Sequence, residues 1–129
     1  RAFVRDLAAG LDDSPTYLYC APRIPEKKLH NVLKSYAKGL GIEADEVLVL
    51  CDNTVFGSAK DGFILTAKDI VSSEAGLVPL AEIERVEPSQ SMWGGKMLLN
   101  PGGKVLAIVP PDKELTSFCE GMNRILQNR

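Results

Sequence analysis

The segment 52–61, DNTVFGSAKD, carries the densest set of chemically capable side chains in the sequence. It combines two carboxylates with an amide, two hydroxyls, an ammonium group and a glycine. A phosphate-binding loop would need Lys and then Ser or Thr after its second glycine, but Phe63 follows Gly62. A calcium-binding loop that starts at Asp52 would place Phe56 and Phe63 where oxygen ligands are required. Neither motif is therefore present.

Two interpretations of this segment remain. In the first, the polar residues at its start hydrogen-bond to the nearby backbone in a turn, while the two apolar residues that follow enter the core. In the second, the segment is an interaction loop. The candidate contact residues are then Asp52, Asn53, Thr54, Lys60 and Asp61.

Catalysis has little support in the residue types. His30 is the only histidine, so a Ser-His-Asp or Cys-His arrangement must use it. Only Glu26 lies within four residues of it as an acidic partner, and we expect a partly exposed surface histidine. A small enzyme built around Cys51, Asp52 and Asp61 stays an alternative. One histidine and dispersed cysteines do not supply a tetrahedral ligand set by local spacing, so no catalytic residue, metal or cofactor is predicted.

The cysteines indicate a reducing compartment. Cys20, Cys51 and Cys119 are odd in number and 31 and 68 residues apart, which excludes a paired disulfide framework and a C-x-x-C motif. Their apolar neighbours predict thiols that act as small hydrophobic side chains, and we expect a cytoplasmic setting. The longest strongly apolar run, 47–51, is far shorter than the roughly 20 residues that span a bilayer. Because Arg1 stands first, we expect either a removed leader or a piece of a longer polypeptide.

Charge and size narrow the class of partner. Fifteen Lys and Arg against 17 Asp and Glu give a formal net charge of −2, and the basic residues are scattered, so no nucleic-acid footprint is predicted. A length of 129 residues favours one core. Lys27 and Lys34 on a predicted helix are candidates for contact with an anionic membrane surface. Trp93 is a candidate anchor for a protein contact if it is exposed.

The order of the predicted elements is two helices, then a run of strands, then a helix. Apolar spacing predicts helices over 1–11, from Pro25 as first helical residue to Leu40, and from Asp112 almost to the end of the chain. Strands are predicted over 16–20, 46–52, 62–66, 70–73, 77–80, 83–87, 96–100 and 104–109. Consecutive strands followed by a helix are typical of an antiparallel sheet with helices packed on a face or at an open end.

The stretch from Phe63 to Pro88, FILTAKDIVSSEAGLVPLAEIERVEP, resembles the signature of bacterial pleckstrin-homology-like domains. In these domains a strand ending in Thr is followed by a turn and an Ile, and then by a P-L-x-x-I-x-x-V segment. The positions that carry the resemblance are Thr66, Ile70, Pro79, Leu80, Ile83 and Val86. The segment 51–62 is similar to a loop in one branch of these proteins, and the final hairpin and helix match the way the fold ends.

The resemblance implies an α+β fold. Its core is a half-open antiparallel barrel of about seven strands, capped by the C-terminal helix. It places this domain over 42–129, with 1–41 as a helical extension packed on the same core. Such domains act as adaptors, and we expect a non-enzymatic module that binds a protein or associates with itself, with the 70–80 region as a candidate sheet edge. Weak binding to anionic lipid is the alternative. Lys60 is the single basic residue in the segment that corresponds to the lipid-binding strands and loop, which argues against tight phosphoinositide binding.

Overall fold

The computed structural model describes residues 18–52, 54, 57–91, 94–109 and 113–127. These residues form an α+β fold with two α-helices and eight antiparallel strands. The strands are β1 Leu18–Cys20, β2 Val49–Asp52, β3 Gly62–Leu65, β4 Asp69–Ser72, β5 Gly76–Pro79, β6 Arg85–Ser91, β7 Gly94–Asn100 and β8 Lys104–Val109. The helices are α1 Glu26–Lys34 and α2 Lys113–Gln127, with short 3₁₀ turns at Ala44–Glu46 and Leu80–Glu82.

Hydrogen bonding divides the strands into two separate sheets. The first has the order β1-β2-β3-β4-β5 and the second the order β6-β7-β8, so every strand pairs with its neighbour in the chain. Turns with polar or glycine residues join the strands, including the predicted 101–103 turn between β7 and β8. The predicted antiparallel class is therefore confirmed, while the ladders do not close into one continuous barrel.

Strands β2 and β3 of the first sheet are buried on both faces, which explains why they are apolar at nearly every position. Side chains alternate between the faces of a strand. One set packs against the second sheet and α2 in a cluster that we call the inter-sheet core, formed by Val49, Cys51, Phe63, Leu65, Met97 and Met122 among others. The other set packs against α1 in a cluster that we call the helix-side core, formed by Val32, Ala37, Leu50, Ile64 and Val71 among others.

Helix α1 is shorter than its apolar spacing predicts. Pro25 has an extended backbone, with φ −60° and ψ 129°, so it precedes the helix and is not its first residue. The helix ends at Lys34 because Ser35 takes non-helical dihedral angles, with φ −113° and ψ −109°, and its N–H donates to the carbonyl of Val32, at 3.1 Å, in a tighter turn. Ala37 is nevertheless buried in the helix-side core, so the turn satisfies the apolar spacing that favoured a longer helix.

Most strand predictions are confirmed within a few residues. Strand β2 begins later than predicted because the 3₁₀ turn at Ala44–Glu46 precedes it, fixed by the Glu43 amide, which donates to the Glu46 carboxylate at 2.8 Å. Strand β6 runs to Ser91, further than predicted. The strand predicted over 16–20 is present at Leu18–Cys20.

The predicted helix at 1–11 lies outside the described residues. The division of the chain at residue 41 stays a prediction. Strand β1, which precedes that division, pairs with β2, which follows it, through the register Leu18 to Cys51.

Candidate functional site

Asp52 is the centre of the segment that the sequence singled out. It ends β2 and is 5% exposed. Its carboxylate accepts the backbone N–H of Thr54 at 2.9 Å and the hydroxyl of the same residue. This is the turn predicted for the polar start of the segment. Val55 and Phe56, which were predicted to enter the core, lie outside the described residues.

Helix α1 holds the rest of the segment in place. The Lys28 ammonium forms an ion pair with Asp52 and donates to the carbonyl of Gly57 at 2.7 Å. One helical turn further on, the Asn31 amide donates to the carbonyl of Ser58 at 2.9 Å. Gly57 has φ of 78°, and a Cβ there would lie 3.2 Å from the Lys28 nitrogen, so a side chain would crowd this contact. The segment is thereby fastened to α1 by what we call the α1 clamp, formed by Lys28, Asn31, Asp52, Gly57 and Ser58.

The charges of the α1 clamp neutralise each other. Burial acts to raise the pKa of Asp52, but the hydrogen bonds from Lys28 and Thr54 outweigh it and hold the pKa below the ordinary aspartate value. The ammonium also lies 5.6 Å from the centre of the Tyr19 ring, within the range of a cation–π contact. At neutral pH this carboxylate is ionised and paired, which leaves it no role as a proton donor.

The hydroxyl of Tyr36 is buried and has no hydrogen-bond partner among the residues that the structure describes. Burial raises the pKa of this phenol, and the negative charges available to Cys51, Asp61 and Asp52 raise it further. The hydroxyl therefore stays protonated. Tyr36 falls on the apolar side of the helix predicted from Pro25 to Leu40, and no sequence pattern indicates its buried polar end.

The remaining candidates of the segment do not converge. Lys60 is exposed, and Asp61 accepts a hydrogen bond from the Ser73 hydroxyl. Lys27 and Lys34 are both exposed on α1, and neither forms one of the contacts of the α1 clamp. Asn53 and Trp93 lie outside the described residues. Of the predicted contact residues that the structure describes, only Asp52 and Thr54 come together, and Lys28, which the sequence did not single out, joins them.

The thiols are built into the core as predicted. Cys51 and Cys119 are buried and Cys20 is half-buried. Burial, aided by the charge of Glu120, raises the pKa of Cys119 to about 11, and burial also raises that of Cys20. The Cys119 sulfur lies 3.5 Å from the sulfur of Met97. Cys51 and Asp52 are consecutive in β2, so their side chains lie on opposite faces of the sheet.

His30 is exposed, as expected from its position on α1. Across the described ranges, no group of three or more His, Cys, Asp or Glu residues is arranged to hold a metal ion. Neither helix that the structure describes has the length and hydrophobicity needed to cross a bilayer.

A second feature is the outer edge of β5, which pairs with β4 and with no other described strand. The Leu80 N–H donates to the Lys68 carbonyl at 2.8 Å, one pair beyond the β4–β5 ladder. Antiparallel ladders alternate between bonded and non-bonded pairs. Because the Lys68–Leu80 pair is hydrogen-bonded, the Ile70–Val78 pair is hydrogen-bonded as well. The pairs that alternate with them are not, so the N–H and C=O of Leu77 point away from β4.

The β3–β4 ladder agrees with this phase. The Ser73 N–H donates to the Gly62 carbonyl at 3.0 Å. By the same alternation, the backbone of Val71 on β4 is hydrogen-bonded to Ile64 on β3. The backbone of Val71 is thus directed to β3 and not to Leu77, its register partner on β5. The backbone of Pro79 is also directed away from β4, so the missing N–H of proline removes no hydrogen bond from the β4–β5 ladder.

The side chain of Leu77 is exposed as well. It is 40% exposed, and only Leu40, at 41%, matches it among the large apolar side chains of the described residues. It occupies the end of a cross-strand row that runs through Leu50, Ile64 and Val71 of the helix-side core. Leu77 therefore presents an apolar side chain at this edge, together with an N–H and a C=O that pair with no other described strand.

The edge of β6 is different, since a side chain from α2 covers it at Val86. The Asn123 amide oxygen accepts the Val86 N–H at 2.8 Å, and its nitrogen donates to the Val86 carbonyl at 2.9 Å. The amide thus replaces a neighbouring strand at this residue.

Comparison of the chain with protein-family models, curated proteins and solved structures finds no match.

Proposed function

We propose that this chain is a pleckstrin-homology-like interaction module that binds a protein partner along the edge of β5 and catalyses no reaction. The order of elements supports the half-open barrel: the consecutive strands β2 to β5 form one sheet, β6 to β8 form another, and α2 follows. Helix α2 contributes Cys119, Met122 and Leu126 to the inter-sheet core, as expected of a helix that plugs one end. Strand β1 would then be an addition to the edge of the first sheet.

The observation that carries the binding proposal is that Leu77 directs both its backbone hydrogen-bonding groups and an exposed apolar side chain to the edge of β5. An edge strand with unpaired backbone groups is a template for another strand, and added strands gain affinity from main-chain hydrogen bonds. The exposed side chain of Leu77 offers apolar contact at the same residue. By contrast, the charged groups of the segment 52–61 are occupied in the α1 clamp.

The test is a nuclear magnetic resonance titration of the ¹⁵N-labelled chain with the capped peptide Ser-Ser-Thr-Val-Thr-Ser-Ser at millimolar concentrations. We expect amide shifts centred on 76–78. The variant Leu77→Lys should weaken them, because a lysine at an edge opposes strand addition. The matched control Leu40→Lys changes an equally exposed leucine away from the edge and should leave them unchanged. An absence of shifts at 76–78, or equal shifts in both variants, would contradict the proposal.

Binding to an anionic membrane has less support. Lys27, Lys34 and Lys60 are exposed, but Lys28 is neutralised by Asp52. Sedimentation with phosphatidylserine vesicles at low salt tests this alternative, and salt-sensitive binding that Lys27→Glu and Lys34→Glu abolish would favour it.

The small-enzyme alternative also has less support. It requires Cys51, Asp52 and Asp61 to act together. Cys51, however, lies in the inter-sheet core. The carboxylate of Asp52 is paired with Lys28, and that of Asp61 accepts a hydrogen bond from Ser73.

A further inference from the structure

We propose that the occupant of the β5 edge is an extended segment of another protein with a central apolar residue and basic residues on both sides of it. The inference rests on the proposed function and specifies the chemistry of the partner. It follows from the backbone phase of β5, the row in which Leu77 lies, and the charges at the two ends of the strand.

The backbone fixes the centre of the added strand. Leu77 offers one N–H and one C=O. Pro79 offers a C=O only, and the N–H of Ala75 already donates to the Ser72 hydroxyl, so full pairing is confined to the residue opposite Leu77. That residue would extend the row of Ile64, Val71 and Leu77 by one position. An apolar side chain there would contact Leu77, since directly opposite side chains on one face are neighbours.

The ends of β5 are acidic. Glu74 precedes the strand, and Glu82 and Glu84 follow it, and all three are exposed. None of them forms an ion pair within the described ranges. From Thr66 to Glu84 the sequence holds four acidic residues and one basic residue, Lys68. A segment with Lys or Arg on both sides of its apolar centre matches this distribution.

The same charges disfavour a second copy of this chain. A two-fold antiparallel pairing would place Leu77 opposite the partner's Leu77, because each offers both backbone groups. It would then bring each Glu74 to the same end of the ribbon as the partner's Glu82. Like charges at matching ends of paired strands are destabilising, and natural edge strands use this to avoid self-pairing.

The experiment compares three capped peptides that differ only at their ends: Lys-Lys-Thr-Val-Thr-Lys-Lys, Ser-Ser-Thr-Val-Thr-Ser-Ser and Glu-Glu-Thr-Val-Thr-Glu-Glu. Each is titrated at low salt while the amides of 76–78 are followed. We expect the lysine peptide to bind roughly threefold to tenfold more tightly than the serine peptide, and the glutamate peptide to bind least. The difference should vanish at about 1 M salt, where charges are screened within about 3 Å. The double variant Glu74→Lys, Glu82→Lys should invert the order.

The outcomes separate the two proposals. Equal affinity for all three peptides would overturn the basic partner and leave edge binding intact. Binding of none would overturn both. Dimerisation of the unmodified chain in sedimentation velocity, abolished by Leu77→Lys and retained by Leu40→Lys, would overturn the basic partner in favour of a second copy.

Discussion

The side-chain amide of Asn123 satisfies both backbone hydrogen-bonding groups of Val86, with an accepted bond of 2.8 Å and a donated bond of 2.9 Å. Helix α2 thereby protects the edge of β6 at this residue in the way that a neighbouring strand would. Leu77 on the edge of β5 has no such cover in the described residues. The β6 edge is therefore hydrogen-bonded to α2 at Val86, whereas the β5 edge at Leu77 is uncovered within the described residues. This difference is the physical basis of the proposed binding edge.

The first prediction concerns this covering amide. Asn123→Ala should lower the free energy of unfolding by about 1–3 kcal/mol, since it leaves two partly buried backbone groups without partners. Urea unfolding measures the change. The control Glu120→Ala alters an exposed residue of the same helix and should change stability by at most about 0.5 kcal/mol. Equal stability of the two variants would show that water replaces the amide at no cost.

The α1 clamp leads to a second prediction. Lys28→Met leaves the carboxylate of Asp52 buried without its cation, and should cost about 1–3 kcal/mol of unfolding free energy. Asp52→Asn should also destabilise, because an amide then faces the ammonium. The double variant should lose less than the sum of the single variants, with a coupling of about 1 kcal/mol or more in a double-mutant cycle. Lys27→Met, at the exposed neighbouring lysine, is the control, and additive losses would contradict a direct interaction.

A third prediction concerns the free energy of unfolding at acidic pH. The pKa of Asp52 is held below its ordinary value in the folded chain, so the ionised carboxylate favours folding. This contribution is fully present above about pH 4, the ordinary range of the unfolded side chain, and is lost as the pH falls through the lower pKa of the folded state. The stability difference between the unmodified chain and Asp52→Asn should therefore shrink below about pH 4. Urea unfolding at neutral and acidic pH tests it, and a constant difference would contradict the pairing.

The strands were predictable from local sequence because their signals are local. Two-residue alternation and turn residues mark β3, β4 and β8, and the three match the structure within one residue at each end. The end of α1 was missed for a physical reason. Ala37 keeps helical spacing from Leu33, but it reaches the helix-side core from the turns that follow the end of the helix at Ser35.

The candidate site was less predictable because its contacts are distant in the chain. The turn formed by Asp52 and Thr54 spans two residues, and its side-chain types predict it. The pairing of Asp52 with Lys28 spans 24 residues and depends on how α1 packs on the first sheet. No local pattern distinguishes Lys28 from Lys27. Only the packing of α1 on the first sheet brings Lys28 into the α1 clamp and leaves Lys27 exposed.

A fourth prediction tests the acidic ends of β5 as a barrier to self-pairing. Glu74→Lys should promote dimerisation, because each new lysine would lie at the same end of the ribbon as the partner's Glu82. Glu74→Lys with Glu82→Lys should restore the monomer, since the ends are again alike in charge. Sedimentation velocity at high protein concentration and low salt measures both. Equal behaviour of the single and double variants would show that these charges do not control pairing at β5.

Strand addition at β5 requires that the backbone of Leu77 is free in the unbound chain and becomes paired in the complex. Amide hydrogen exchange, followed by nuclear magnetic resonance with and without saturating Lys-Lys-Thr-Val-Thr-Lys-Lys, tests it most directly. We predict fast exchange at Leu77 and slow exchange at Val78 in the free chain, with protection gained at Leu77 alone of the two on binding. An amide of Leu77 that is already protected in the free chain, or that stays unprotected with the peptide bound, would rule out strand addition at β5.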